Sequence, residues 1–173
     1  MDILVFIFQQ MLNFAVPLLV VALAAMFSER SGVINIGLEG IMVMGAFAGT
    51  LFLHFANESG QEVTLLHLWI AIVIAILAGT AYSAFHAFAS INMFADQTIS
   101  GTAINMFAGA FAIFIARSLI GIQQISFTGQ FMISKVPVLG EIPLIGPILF
   151  QNVYITTYLV LAIWVASTVL LYK

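Results

Sequence analysis

From Ile3 to Phe27 the chain runs for 25 residues without Asp, Glu, Lys or Arg, and none of the four occurs between Val63 and Ala95. Wound as helix at 1.5 Å per residue, the first run is roughly 37 Å long, enough to cross a hydrocarbon core of about 30 Å with some tilt. Composition agrees with a lipid environment. The 173 residues are 63% hydrophobic and 6% charged, against about 25% charged in soluble domains, and the mean hydropathy is +1.19. These values predict an all-α, polytopic transmembrane helical bundle. A net charge of −3 leaves no basic patch for nucleic acid. With no cysteine, disulfides, thiol catalysis and thiolate metal sites are excluded. Ala22-Leu23-Ala24 has the look of a cleavage site, but the preceding run lacks Lys and Arg and exceeds the apolar region of a signal peptide, so it reads as a membrane helix.

About five spans are expected: Ile3–Phe27, kinked at Pro17, then Val33–Phe55, Leu68–Ala89, Thr98–Ala116 and Gln151–Tyr172. Asn57–Glu62 reads as a short exposed loop, with His54 and His67 as interfacial residues on either side. Asn13 and His86 suit hydrogen bonds inside helix interfaces. In the third span Ala71, Ala75, Gly79, Ser83 and Ala87 recur every four residues, and Gly45 and Gly49 form G-x-x-x-G in the second. Both patterns let one membrane helix approach another closely. Between Arg117 and Phe150, Pro137, Pro143 and Pro147 with Gly140 and Gly146 forbid a continuous helix. The apolar residues among them place that connection on the membrane surface or as a lid. Charge counting does not orient the bundle, since Arg30 and Lys173 oppose Arg117 and Lys135.

The polar residues lie where lipid tolerates them least. Ser28–Gly49 carries Asn35, Glu39 and the glycines Gly32, Gly37, Gly40, Gly45 and Gly49 where an ordinary span would hold Leu and Ile. A charge at a helix centre costs about 2.5–3.5 kcal/mol on insertion scales, so such groups face a protein interior or an aqueous path. Asn35 and Glu39 share a face if the helix is continuous. Alternatively, residues 32–41 form a broken helix whose freed backbone groups line a cavity. A second cluster, Asn92–Asn105, offers Asp96, Thr98 and Ser100 as helix caps and sets Gly101, Asn105 and Gly109 one turn apart. Asn35, Glu39, Asp96, Ser100 and Asn105 are therefore the candidates for lining or gating a solute path, and Gly37, Gly40, Gly45, Gly49, Gly79, Gly101 and Gly109 for close helix packing. The competing reading is that Glu39 and Asp96 only cap helices or hold them together.

No phosphate-cradling G-x-x-x-x-G-K-[ST] loop is present, no nucleophile–base pair has credible spacing, and the three histidines are scattered. The expectation is a conduit, with no enzyme activity, no metal and no cofactor of its own.

Phe27-Ser28-Glu29-Arg30-Ser31-Gly32-Val33-Ile34-Asn35-Ile36-Gly37-Leu38-Glu39-Gly40, with Met42-Val43-Met44-Gly45-Ala46-Phe47 after it, resembles the signature of ABC-transporter permeases for nucleosides and simple sugars, of the branched-chain amino acid and ribose type. Asp96 to Asn105 resembles a second stretch of those permeases, and Ile142-Pro143-Leu144-Ile145-Gly146-Pro147 a third. The resemblance implies a permease subunit of an ATP-driven importer in the bacterial inner membrane, carrying nucleosides or related sugars. Its implied partners are a second permease subunit, an ATP-binding cassette ATPase that binds the ATP and Mg, and an extracytoplasmic substrate-binding lipoprotein. It also implies the N-terminus outside and Lys173 inside. Permeases of this type continue into a coupling segment and further helices, so residues 1–173 are expected to form a single permease domain incomplete at its C-terminal end. An ion-coupled secondary transporter and a non-functional permease fragment are the other readings.

Overall fold

A computed structural model of the chain describes residues 2–32, 34–129, 131–143 and 145–172. Val33, Leu144 and Lys173, used above to bound a span, to complete a motif and to orient the bundle, lie outside the described residues. Two compact units emerge, one of Met1–Ala24 with Phe131–Lys173 and one of Ala25–Gln130.

Four helices are long and apolar enough to cross a membrane: α1 (Asp2–Arg30), α2 (Leu38–Glu58), α3 (Leu65–Ile91) and α4 (Gln97–Ile120). A shorter apolar helix at Ile155–Tyr172, numbered α6 below, brings the number of expected spans to five. α1, α3 and α4 extend a few residues beyond their expected spans, because polar residues cap helix ends without leaving the helix, whereas α2 starts late at Leu38 and the last helix starts at Ile155, since Gln151–Tyr154, expected as its first turn, is a strand. α1 passes Pro17 unbroken and ends at Arg30. Gly32, at φ +83°, takes the left-handed conformation that commonly stops a helix and that only glycine adopts freely.

In the Ala25–Gln130 unit, α2 packs on α3 through its small residues. A Cβ on Gly45 would meet the Ala75 carbonyl oxygen at 2.9 Å, and one on Gly49 would meet that of Ala71 at 2.9 Å. Gly79 faces Ile41. The expected stripe then leaves the seam: Ser83 turns its hydroxyl to the Thr80 carbonyl and Ala87 is exposed. The cause is geometric. At 100° per residue a strict four-residue repeat drifts about 40° per step, so after two steps the facing positions pass to neighbours in the helix. Tyr82 and His86 take those places, and both are buried. α4 behaves alike: Gly109 has nothing within 4 Å of where a Cβ would stand, while Ala108 is fully buried.

At one end of this unit the segment after α4 folds back over α2. The Ser126 carbonyl lies 2.7 Å from His54 Nδ1. A carbonyl can only accept, so Nδ1 carries the hydrogen. Thr128 Oγ1 donates to Asn57 Oδ1 at 2.5 Å. His54 is thus buried under the chain, where it donates to a carbonyl of the irregular segment. His67 stays at the partly exposed end and closes a capping box with Thr64 at the start of α3.

In the other unit, β1 (Met132–Lys135) pairs antiparallel with β2 (Gln151–Tyr154), with Ile133 opposite Val153. Between them lie a 3₁₀ turn (Leu139–Glu141) and the short helix α5 (Ile145–Leu149), after which β2 runs directly into α6. Gly140 and Gly146 touch so closely that a Cβ on Gly146 would stand 2.8 Å from the Gly140 oxygen. The side chain of Gln9 on α1 donates to the carbonyls of Pro147 (2.7 Å) and Gln151 (3.2 Å). The prolines and glycines do exclude a long helix here, but the strand pair was not anticipated: four residues per strand give too short an alternation to read.

Candidate functional site

The break between α1 and α2 lies along the first two turns of α4. Ile34 to Gly37 is not helical, and α2 starts only at Leu38 with Gly37 as its N-cap. Neither expected form describes the chain: no continuous helix stacks Asn35 over Glu39, and the second span is not a broken helix at 32–41 but runs whole from Leu38, with the non-helical residues connecting it to α1. Backbone groups of this connection that lack helical hydrogen bonds find partners within the chain. The Asn35 carboxamide oxygen accepts from its own Gly37 N–H at 2.9 Å. Gln97 Oε1 on α4 accepts from the Ile34 N–H at 3.1 Å.

Asn105 supplies the remaining pair. Its Oδ1 accepts from the Gly40 N–H at 2.7 Å while its Nδ2 donates to the Ile36 carbonyl at 2.8 Å. An N-cap side chain ordinarily takes the N–H of the third helical residue. Gly37 has no side chain, and a Cβ there would lie 3.4 Å from the Gly101 Cα. The missing cap therefore arrives from another helix, 65 residues further along the chain. Gly101 allows this approach from the α4 side, where a Cβ would be 2.9 Å from the Gly37 nitrogen.

α3 closes the same end of α4. Tyr82 donates its hydroxyl to the Ile104 carbonyl at 2.8 Å, and His86 Nδ1 pairs with Ser100 Oγ at 3.0 Å. His86 is buried, and its Nε2 has no hydrogen-bond partner among the described residues. Tyr82→Phe is expected to lower stability by about 0.5–1.5 kcal/mol, the net value of one hydrogen bond, measurable by denaturation of the purified chain in detergent. Asp96 caps α4, its Oδ1 accepting from the N–H groups of Thr98 (2.8 Å) and Ile99 (3.1 Å). Asp96→Ala is expected to cost about 0.5–2 kcal/mol in the same assay.

Of the five path candidates, four spend polar atoms on the protein itself: Asn35, Asp96 and Asn105 on backbone, Ser100 on His86. Glu39 differs. Its side chain is exposed, with no hydrogen bond or ion pair among the described residues, and it sits in the first turn of α2, where the helix dipole favours an anion. Joint shielding of Glu39 by the helices of this chain is not what the structure has. Tyr82 and Gln97 belong to the site as well, and sequence reasoning missed their parts in it, while His86 makes the interhelical hydrogen bond expected of it. A count at heptad-like rather than four-residue spacing along α3 would have brought out Tyr82. Among the described residues no group of three or more His, Asp or Glu could hold a metal ion.

The family model for the permease component of branched-chain amino acid transport systems matches residues 7–173. The chain belongs to that family. It is a multi-pass membrane protein of the inner membrane, a transporter subunit by family, and the polar break between α1 and α2 is therefore a feature of a permease. The guanosine ABC transporter permease protein NupQ of Bacillus subtilis is 44% identical over 163 residues, covering 94% of this chain and 50% of that protein. The nucleoside ABC transporter permease protein NupC of Lactococcus lactis is 34% identical over 164 residues, with the same coverage of 94% and 50%. A putative glucose ABC transporter permease protein of Haloferax volcanii, TsgC13, is 29% identical over 154 residues, 85% of this chain and 42% of that protein. The chain spans about half the length of these relatives. No solved structure matches it.

Proposed function

We propose that the chain belongs to a permease subunit of an ATP-driven importer of nucleosides, and that the connection between α1 and α2 borders the solute path. The observation that supports this reading is the polar connection between two spans, Ile34–Gly37, which side chains of α4 clamp to the first turn of α2 with the Glu39 carboxylate left exposed beside it. Likeness to permeases named for guanosine and for nucleosides supports that substrate class over sugars.

In this proposal Asn35, Asp96, Ser100 and Asn105 keep the break and the adjoining end of α4 in position, and Glu39 is the polar group left to face solute. A neutral, hydroxyl-rich nucleoside needs hydrogen-bonding partners more than a strong charge. ATP and Mg belong to an ATP-binding cassette partner, and a second permease subunit and an extracytoplasmic binding lipoprotein complete the importer.

The test is uptake of radiolabelled guanosine and of a pentose by cells or proteoliposomes carrying the assembled importer. Nucleoside uptake is expected to require ATP hydrolysis and to survive collapse of ion gradients. Uptake driven by an ion gradient without ATP would establish secondary transport instead. Glu39→Gln is expected to lower uptake while leaving assembly intact. Unchanged uptake in that variant would remove Glu39 from the path.

A further inference from the structure

The element between β1 and β2 carries an apolar edge with no covering inside its own unit. Val138 is 78% exposed and Ile145 51%, and Leu139, Ile142 and Leu149 are exposed beside them. Val138 is held out by a tight turn. The Leu139 N–H donates to the Pro137 carbonyl at 2.8 Å, closing a three-residue ring around Val138. That ring puts Val138 at φ 68° and ψ −56°, the strained form of the γ-turn and one a β-branched residue rarely accepts. The two charges between Phe131 and Tyr154, Lys135 and Glu141, pair with each other at 3.0 Å.

We propose that this element is seated in the bilayer, with Val138, Leu139, Ile142, Ile145 and Leu149 entering the boundary between headgroups and acyl chains. Its attachments set the depth. β2 passes without a break into the apolar helix α6. Gln9 lies six residues inside the charge-free run that starts at Ile3, roughly 9 Å along the helix. There it donates to the carbonyls of Pro147 and Gln151, which at membrane depth have no water to accept from. α5 is thereby fixed beside an apolar stretch of α1, and its neighbours cannot lie far from lipid. Mutual neutralisation of Lys135 and Glu141 leaves the element no net charge to hold it in water. Amphipathic surface elements of this kind bury their apolar side roughly 5–10 Å into the interface. The inference does not depend on which solute is carried.

The chain contains no cysteine, so Val138→Cys, Ile145→Cys and Glu141→Cys each provide a unique site for a nitroxide label. The full chain is reconstituted in vesicles of phosphatidylethanolamine and phosphatidylglycerol, and power-saturation EPR compares collision with oxygen, which concentrates in lipid, and with a water-soluble nickel chelate. Labels introduced by V138C and I145C are expected to favour oxygen several-fold, and the label introduced by E141C to favour nickel. Nickel access at Val138 and Ile145 equal to that at Glu141 would put the edge in water and overturn the proposal. Low access to both reagents would show a protein partner covering the edge and would overturn it equally. If V138C does not reconstitute, I145C with Ile142→Cys decides the same question.

Discussion

Asn105→Leu is expected to unseat the start of α2 and to lower the stability of the chain by about 1.5–4.5 kcal/mol, since leaving the part-buried Gly40 N–H without a partner costs about 1–3 kcal/mol and losing the exposed bond to the Ile36 carbonyl about 0.5–1.5 kcal/mol. The two groups are the Gly40 N–H and the Ile36 carbonyl, both of which Asn105 satisfies at once. Leu keeps the branched shape of Asn and is larger, so the loss comes from the missing hydrogen bonds and no cavity opens. For a chain of this size about 2–4 °C of melting temperature follows each kcal/mol, which gives a fall of roughly 3–18 °C in detergent. Asn105→Asp separates the two bonds. Its carboxylate still accepts from Gly40 but turns a second acceptor towards the Ile36 oxygen, so its stability should fall between those of wild type and the Leu variant. Transport by the assembled importer should fall in the same order. An Asn105→Leu chain that melts like wild type yet cannot transport would mean that the carboxamide works on solute and not on the helix start.

How far such a site can be read from sequence depends on what lipid does to the hydropathy signal. Charge-free runs located every span, because length and apolarity are what the bilayer demands of a helix. The same demand hides which side of a helix is packed. On α3 the exposed Phe85 and the buried Tyr82 are both aromatic, and no polar stripe distinguishes lipid from neighbour. An end to helix was legible near Asn35 and the clustered glycines, a poor sequence for a lipid-exposed helix, but it separates α1 from α2 instead of breaking the second span, which runs whole from Leu38. The closing partner of this connection was not legible, since Asn105 lies 65 residues from Gly40 and only the packing of α4 brings them together. Gly101 and Gly109 looked equivalent as members of one four-residue series. The angular drift of that series decided that Gly101 lies against Ile36 and Gly37 while Gly109 meets nothing. Glu39 was read as shielded because it precedes an apolar run. The late start of α2 instead puts it in the first turn and leaves its carboxylate exposed.

That difference between glycines yields the other large effect. A Cβ added at Gly40 would stand 2.9 Å from the Asn105 Cα, 2.9 Å from the Asn105 Oδ1 and 2.9 Å from the Ile104 carbonyl oxygen. Two of those atoms are backbone and cannot rotate aside, so α2 and α4 must separate. Overpacking of this kind costs about 1–3 kcal/mol for a single methyl, and Gly40→Leu should exceed it and prevent stable insertion of the pair. Gly109→Ala adds the same methyl to open space and replaces a poor helix former, so it should be neutral or stabilising by up to about 1 kcal/mol. Denaturation of the purified chains is expected to rank Gly40→Leu below Gly40→Ala, then wild type, with Gly109→Ala level or above. Equal stability of the two Ala variants would show that α2 and α4 have slack at Gly40. The Gly40→Ala and Asn105→Leu changes act on one contact, because prising the helices apart already stretches the bonds that Asn105 makes. Their double variant should therefore lose less than the sum of the singles, by about 0.5–3 kcal/mol of coupling. Strict additivity would mean that the glycine contact and the carboxamide clamp hold the break independently.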